Sequence, residues 1–378
     1  MGILRTNTLS GIGTDGPVFD GVTRLDTFGY VVPPVGVTSD RTLVGVTTAQ
    51  GSIRFNTDSQ KLEFYAQDQW WEMVIDTPAL AVSSNSEAGA RGVFAGGRSG
   101  GSGRSVIDYI NISSAGNSIN FGNLSEVKRS PMCFGSSTRG VATGGLGPVY
   151  SKNVDVFTFA STGSSADSGF DITTARFNGT GLSNSTRGIS AGGDAGGPTT
   201  NVIEYFTIAA LGNAVDFGDL STAKQSFSSC ASSTRGIFAS GSPSINVIEF
   251  ITISTIGNVT DFGDLTTNRN SNAGCSNPVR GLFAGGGPTA INTIDFITIS
   301  SLGNSVKFGE LTVARASAGT CSSSTRAIWG GGEVPGGVGV NVIDYVTTMS
   351  TGNAVDFGDL VNGVNYEGSA CSNAHGGL

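Results

Sequence analysis

Apolar residues in this chain fall into short runs separated by glycine, asparagine and hydroxyl residues. Between Ala314 and Leu360 the runs read "SAGTCSS", "RAIWGGG", "NVIDYVTTM" and "AVDFGDL". Runs of this length, rich in β-branched and aromatic residues and bounded by turn formers, predict four β-strands, here called a to d. Gly-Asn recurs at 116–117, 212–213, 257–258 and 303–304, and "TGN" at 351–353. These residues tolerate the positive φ of a tight c–d turn. Strand c does not alternate: Val202, Ile203, Tyr205, Phe206 and Ile208 put apolar groups on both faces. It therefore predicts a sheet covered on both sides.

The four-strand unit repeats. The phrase "SSTRGIFASG" at 232–241 has near-copies whose arginines are Arg91, Arg139, Arg187, Arg280 and Arg326, beside its own Arg235, at spacings of 48, 48, 48, 45 and 46. A period of 45–50 residues with four strands per unit predicts propeller blades, six of them. The small residues of strand a suit the crowded centre of a ring. Five positions before each arginine stand Phe134, Leu182, Cys230, Cys275 and Cys321. In the C-terminal tail the equivalent is Cys371, whereas before Arg91 it is Ser86. The tail keeps the apolar column, so it is expected to supply strand a of blade 1 and close the ring at Cys371. Four of the five cysteines sit in this column, Cys133 is one residue off it, and all five are expected to be unpaired packing residues.

The unit resembles the kelch repeat. The likeness lies in a glycine doublet after strand b (Gly96-Gly97, Gly144-Gly145, Gly192-Gly193, Gly285-Gly286, Gly331-Gly332, with Ser240-Gly241 a variant), an aromatic in strand c and a basic residue before strand a. It departs in strand d, where Phe121, Phe217, Phe262, Phe308 and Phe357 stand where kelch often has Trp. The resemblance implies an all-β fold: a six-bladed kelch-like β-propeller over 91–378. It does not imply a function.

The first 78 residues lack the repeat. "GSIRFNTDSQKLEFYAQDQWWEMV", 51–74, predicts a small three-stranded meander. So small a sheet cannot bury its own aromatics, which makes Phe55, Phe64, Trp70 and Trp71 candidate assembly residues. The stretch resembles a short module of tail fibres and other virion proteins of tailed bacteriophages, where an Ile-Arg-Phe/Tyr-Asn strand meets a Lys-Leu-Glu-aromatic-Tyr strand and then a Trp. "GPVFDGVTRLDTFGYVVPPVG", 16–36, looks like the N-terminal region of structural proteins of marine cyanobacterial phages. These resemblances imply a virion location after assembly in the host cytoplasm, other virion proteins as partners, and homo-oligomers, with a trimer favoured. Residues 1–78 are then an attachment or oligomerisation module and 79–90 a linker.

Composition narrows the chemistry. A net charge of −8 with only 13% charged residues argues against nucleic acid, which needs clustered Lys and Arg. No apolar run approaches the length of a membrane helix, and the opening "MGILRTNTLSGIG" lacks the apolar core of a leader. "MGILRT" formally fits a myristoylation pattern at Gly2, but a polar start with no basic cluster favours chance. His375, the single histidine, is expected at the solvent-facing end of the last strand, and no Ser-His-Asp or Cys-His set can be built. "DFG" at Asp216, Asp261 and Asp356 recurs at one repeat position and reads as strand d. An acid recurs in strand c (Asp108, Asp155, Glu204, Glu249, Asp295, Asp344) and a base before strand a (Lys128, Arg176, Lys224, Arg269, Arg315, with Asn365 at the closure). A catalytic pair would occur once, so these read as structural ion pairs.

The expectation is therefore a non-enzymatic protein with no cofactor and no metal: a tail fibre or related surface appendage for host-surface binding or particle decoration. The alternative is a soluble carbohydrate-binding or carbohydrate-processing propeller. The b–c loops vary in length while the strands do not, from "SPSI" to "GEVPGGVGV". Loops on a rigid scaffold carry binding, so Tyr150, Lys152, Asp194 and Glu333 are candidate ligand residues, facing a host glycan or protein. Ala142 and Ser190 replace the strand-b aromatics Phe94, Phe238, Phe283 and Trp329, and Gly169-Phe170 inverts Phe-Gly. Both changes signal either relaxed packing or a contact surface.

Overall fold

The structure, a computed structural model, describes residues 33–42, 48, 50–58, 61–72, 90–362 and 366–378. Gly2, most of the 16–36 segment, Met73 and Val74, the 79–89 part of the linker, Ser86 and Asn365 lie outside the described residues. The chain divides into two compact units, Met1–Thr77 and Pro78–Leu378.

The second unit is all-β, built of four-stranded antiparallel sheets. Sheet 2 runs Met132–Gly135, Arg139–Thr143, Asn153–Thr158, Ala166–Asp171. Sheet 3 runs Thr180–Ser183, Arg187–Ala191, Val202–Thr207, Val215–Asp219. Sheet 4 is Ser228–Ala231, Arg235–Ala239, Ile245–Thr252, Thr260–Arg269. Sheet 5 is Ala273–Ser276, Arg280–Ala284, Thr293–Thr298, Val306–Glu310, and sheet 6 is Gly319–Ser322, Arg326–Gly330, Val342–Thr347, Val355–Asp359. Sheet 1 joins both ends of the unit. Ser369–Ser372 pairs with Arg91–Ala95 in the register Cys371↔Val93, followed by Ser102–Asn111 and Ile119–Lys128.

Each strand a packs on the strand a of the next sheet, from Met132–Gly135 through to Ser369–Ser372, which packs on Met132–Gly135 again. Serines explain their composition. Ser183 Oγ accepts from Gly135 N and donates to Gly135 O, and Ser276 does the same with Ala231, as does Ser372 with Ser322. A hydroxyl is both donor and acceptor, so one side chain can bridge two neighbouring strands that share no ladder.

The repeated Arg-Gly is an inter-sheet clamp. Arg91, Arg139, Arg187, Arg235, Arg280 and Arg326 donate through Nη1 to the carbonyls of Phe159, Ile208, Ile253, Ile299, Thr348 and Ile112 at 2.7–3.3 Å. Every acceptor lies just past strand c of the following sheet, and the acceptor for Arg326 of sheet 6 lies in sheet 1. Five of the guanidinium groups also stack 4.6–4.9 Å from the strand-c ring of their own sheet, such as Arg187 on Tyr205. The glycine after the arginine leaves room for the preceding sheet: a Cβ on Gly92 would strike Cys321 Sγ. The glycine of strand d serves the next sheet's turn. Gly263 has φ 144°, a Cβ there would meet Gly303, and Gly303 N donates to Phe262 O at 2.8 Å.

Among the described residues all five cysteines are free and buried. Burial pushes the Cys133 and Cys275 thiols up to about 12, and Cys321 and Cys371 well above the ordinary range. Cys133 is off the column because it faces Ala142. Elsewhere strand b carries an aromatic and strand a a small residue: Phe94↔Ala370, Phe238↔Ser229, Phe283↔Gly274, Trp329↔Thr320. In sheet 2 a smaller strand-b residue meets a larger strand-a residue. In sheet 3 both are small, Ser190↔Gly181, and a Cβ on Gly181 would lie 2.6 Å from Cys133 O. A similar approach recurs between sheets 4 and 5, where a Cβ on Gly274 would lie 2.8 Å from Ser229 O and strand b keeps Phe283, so it does not explain Ala142 and Ser190.

The first unit is a four-stranded sheet. Ile53–Asn56, Lys61–Ala66 and Gln69–Glu72 form the meander, and Val35–Gly36 adds in parallel to Phe55–Asn56.

Candidate functional site

The meander's register sorts its side chains onto two faces. Phe55 pairs with Leu62 and with Val35, and Ile53, Phe64 and Trp71 form one cross-strand row. All six lie on one face; Val35, Ile53 and Trp71 are exposed at 59%, 49% and 43%, and the others are half-buried. The opposite face carries Arg54, Asn56 and Glu63, all buried, under the 3₁₀ turn Thr38–Thr42. Glu63 accepts from Arg41, from Asn56 Nδ2 at 2.7 Å, and has Arg54 Nε at 3.4 Å. Burial pushes the Glu63 carboxyl up, but Arg41, Asn56 and Arg54 together hold it below the usual range. Trp70 belongs to this polar face, 5.5 Å from the Arg54 guanidinium and edge-on to Tyr65 at 5.4 Å. Phe55, Phe64 and Trp71 thus share one face, and Trp70 does not join them.

A second candidate lies in the repeat unit. Ser130, Asn178, Ser226, Ser271, Ser317 and Glu367, one before each strand a, border one cavity of about 180 Å³. All six have φ between 46° and 56°, an uncommon conformation for residues with a Cβ. A backbone chain holds them there: Ser226 N donates to Asn178 O, Ser271 N to Ser226 O, Ser317 N to Ser271 O, Glu367 N to Ser317 O and Ser130 N to Glu367 O, at 2.6–3.1 Å. Glu367 is the one carboxylate among them. Its Oε1 meets Arg98 Nη2 at 3.1 Å, while Oε2 is buried without a hydrogen bond, 3.6 Å from Arg129 Nη1. Burial pushes this carboxyl above its ordinary range, against the pull of Arg98 and Arg129.

Beyond this cavity lies a smaller one of about 60 Å³, lined by Cys230, Cys275, Cys321, Cys371 and His375. His375 is half-buried and turned inward rather than standing at a solvent-facing strand end. Past the last strand the tail turns inward, because Gly376 and Gly377 fit where a Cβ would strike the carbonyls of Asn277 and Ser183. His375 Nε2 donates to Gly135 O at 2.9 Å and lies 3.2 Å from Ser183 Oγ, while Nδ1 accepts from Gly377 N. The neutral Nε2–H tautomer satisfies both nitrogens, and burial pushes its pKa down.

The four loop candidates are outside the cavity lining. Tyr150 packs edge-on against Phe177 at 5.5 Å, and Lys152 is exposed. Asp194 Oδ1 caps Gly196 N and Gly197 N, which makes it a turn-holder. Glu333 bridges to Ala316, and its loop folds as a hairpin, Glu333–Val334 with Val338–Gly339. The recurrent acids and bases are buried pairs, each joining the base that precedes a strand a to the acid of the strand c that follows it: Lys128–Asp155 and Lys224–Glu249 at 2.8 Å, Arg269–Asp295 at 2.5 Å, Arg315–Asp344 at 3.0 Å, and Arg176–Glu204. In sheet 1 Asp108 accepts from Asn362 instead, and burial raises its pKa. The cavity residues were missed although a signal existed: each stands two positions after the recurrent base, or after Asn365. No helix among the described residues is long and apolar enough to cross a membrane. Comparison with protein-family models and with curated proteins gives no match.

Proposed function

We propose that the repeat unit is a six-bladed, kelch-like β-propeller and that the chain is a non-enzymatic virion protein of a tailed phage, a tail fibre or related surface appendage. Its N-terminal module assembles with further copies or with other virion proteins. Its ring binds the host surface or decorates the particle. The cyclic order of strand-a packing and of the six arginine clamps supports the ring. The phage origin rests on the resemblance of the 51–74 stretch.

One observation carries the assembly role. The N-terminal sheet buries Arg54, Asn56 and Glu63 and leaves Val35, Ile53 and Trp71 exposed beside Phe55, Leu62 and Phe64. A contiguous exposed apolar face with charge kept inside marks an interaction surface. Light scattering of the whole protein and of I53S/W71S tests it. The native chain should be an oligomer, or bind other virion proteins, and the variant should be a monomer that binds none. A monomeric native chain without virion partners would sink the reading. Incubation with host polysaccharide should release no oligosaccharide; release by the pure protein would overturn the non-enzymatic assignment.

A further inference from the structure

We propose that residues 373–378 form an acid-released plug: they close one end of the space between the six strands a, and protonation of His375 frees them. The proposal goes beyond the virion reading and does not depend on it.

The plug's place follows from the levels along strand a. The residues before each strand a border the wider cavity, and the strands themselves line the narrower one. At the far ends of the strands, residues 373–378 cross the opening and meet five of the six sheets. In sheet 1, Asn373 N donates to Arg91 O at 3.3 Å and Asn373 Oδ1 accepts from Arg91 N at 2.8 Å. His375 Nε2 donates to Gly135 O in sheet 2. Gly377 leaves no room for a Cβ against Ser183 O in sheet 3, nor does Gly376 against Ala231 O in sheet 4. Gly376 N donates to Ser276 O in sheet 5 at 3.0 Å. In sheets 2 to 6 the chain turns from strand a directly into strand b. In sheet 1 strand b comes from the other end of the unit, which leaves 373–378 to cross the opening.

One proton decides whether this turn holds. In the neutral ring Nδ1 accepts from Gly377 N at 3.1 Å while Nε2 donates to Gly135 O at 2.9 Å. An imidazolium donates from both nitrogens. Its Nδ1–H would point at the Gly377 N–H, donor against donor. Gly377 has no space to shift towards Ser183 O. Nothing nearby balances the charge either. The strands around the ring present Phe134, Ser183 and the thiols of Cys133, Cys230, Cys275, Cys321 and Cys371, which burial keeps protonated. No carboxylate forms an ion pair with His375 among the described residues. Burial pushes the pKa of the ring below its ordinary 6.5. The hold of the plug is therefore complete above about pH 6.5 and is lost as pH falls toward the folded value. Release gives the narrower cavity an opening at that end.

Amide exchange of Gly376 and Gly377 in the whole protein, followed by NMR from about pH 7.5 to about pH 4.5 and corrected for the intrinsic rate, tests this. Their protection should fall at least tenfold, while the amides of Arg91–Ala95 keep theirs. In H375N protection should be the same at both ends of the range. The shorter amide can still accept from the N–H two residues on, as Asn184 accepts from Thr186 N at 3.0 Å, and it takes up no proton. Level protection in the native protein overturns the proposal. So does an equal fall in H375N, or a fall shared by Arg91–Ala95, which would be loss of the sheet rather than of the plug. Should H375N fail to hold the turn even at pH 7.5, the native profile decides. A one-proton fall with its midpoint below pH 6.5 supports the plug, and any other shape overturns it.

Discussion

The two units solve the same problem in opposite ways. Both are built around antiparallel meanders with mixed apolar and charged residues. In the repeat unit each sheet is covered on both faces, so strand c buries Ile203 on one side and Phe206 on the other. Its charges are then buried as well, in pairs such as Arg269–Asp295. The N-terminal sheet has one face to hide and hides the charged one: Glu63 is fully buried while Trp71 is 43% exposed. A sheet with two neighbours can enclose both kinds of residue. A sheet that encloses one face leaves the residues of the other outside, and here the exposed kind is the one that gains by finding a partner.

The largest effect should come from breaking the two-sided cover in the repeat unit. Deleting 366–378 removes strand a of sheet 1 and exposes the edge of Arg91–Ala95. The shortened protein should lose its cooperative melt and aggregate, as read by calorimetry and light scattering. Next is D295N, which leaves the buried Arg269 guanidinium without its counter-charge; about 3–5 kcal/mol of stability should be lost in chemical denaturation. In the N-terminal sheet the contrast between adjacent tryptophans is sharper. W71S should change association but not the fold of the sheet, whereas W70A, on the Arg54 face, should loosen the sheet in hydrogen exchange. Equal effects of the two would erase the distinction between the faces.

The smallest effect is on pH. His375 has a folded-state pKa pushed below its ordinary 6.5, so its contribution is present above about pH 6.5 and fades as pH falls through 6.5 toward the folded value. Glu63 is also held below its ordinary value, and its contribution fades only below about pH 4.5. Of these two groups His375 acts at the higher pH, whereas Asp108 and Glu367, whose pKa values burial raises, act in the opposite sense as pH falls. H375Q should flatten the melting profile between pH 7.5 and 5.5 while leaving the N-terminal unit unchanged; an unaltered profile would remove His375 from the account.

Much of the repeat was legible because each sheet says the same thing. The strand order, the glycine doublets and the apolar column that puts Cys371 opposite Val93 all follow from comparing six copies. What one copy shares with the next was harder to read. The arginine looked like the start of a strand because its acceptor, such as Ile112 for Arg326, is 214 residues away. Glu367 was hidden for a different reason. Its five counterparts are small polar residues that suit any turn, and only their left-handed backbone, set by hydrogen bonds between sheets, gathers them at one opening. Trp70 and Trp71 read alike in sequence, yet adjacent residues of a strand point to opposite faces. The inward turn of His375 depends on Gly376 and Gly377 fitting against Asn277 and Ser183, contacts no local pattern contains.

Pairing of Ser369–Ser372 with Arg91–Ala95 also sets a schedule for synthesis. The second strand of sheet 1 leaves the ribosome early and waits for a partner about 270 residues downstream, roughly 15–55 s at ~5–20 residues per second. Throughout that interval an apolar edge with free backbone groups stands open to neighbouring nascent chains, while sheets 2 to 6 can each pair their own strands at once. Crowding on a polysome is thus most dangerous to this one edge, and slower translation of the last repeat would lengthen the exposure.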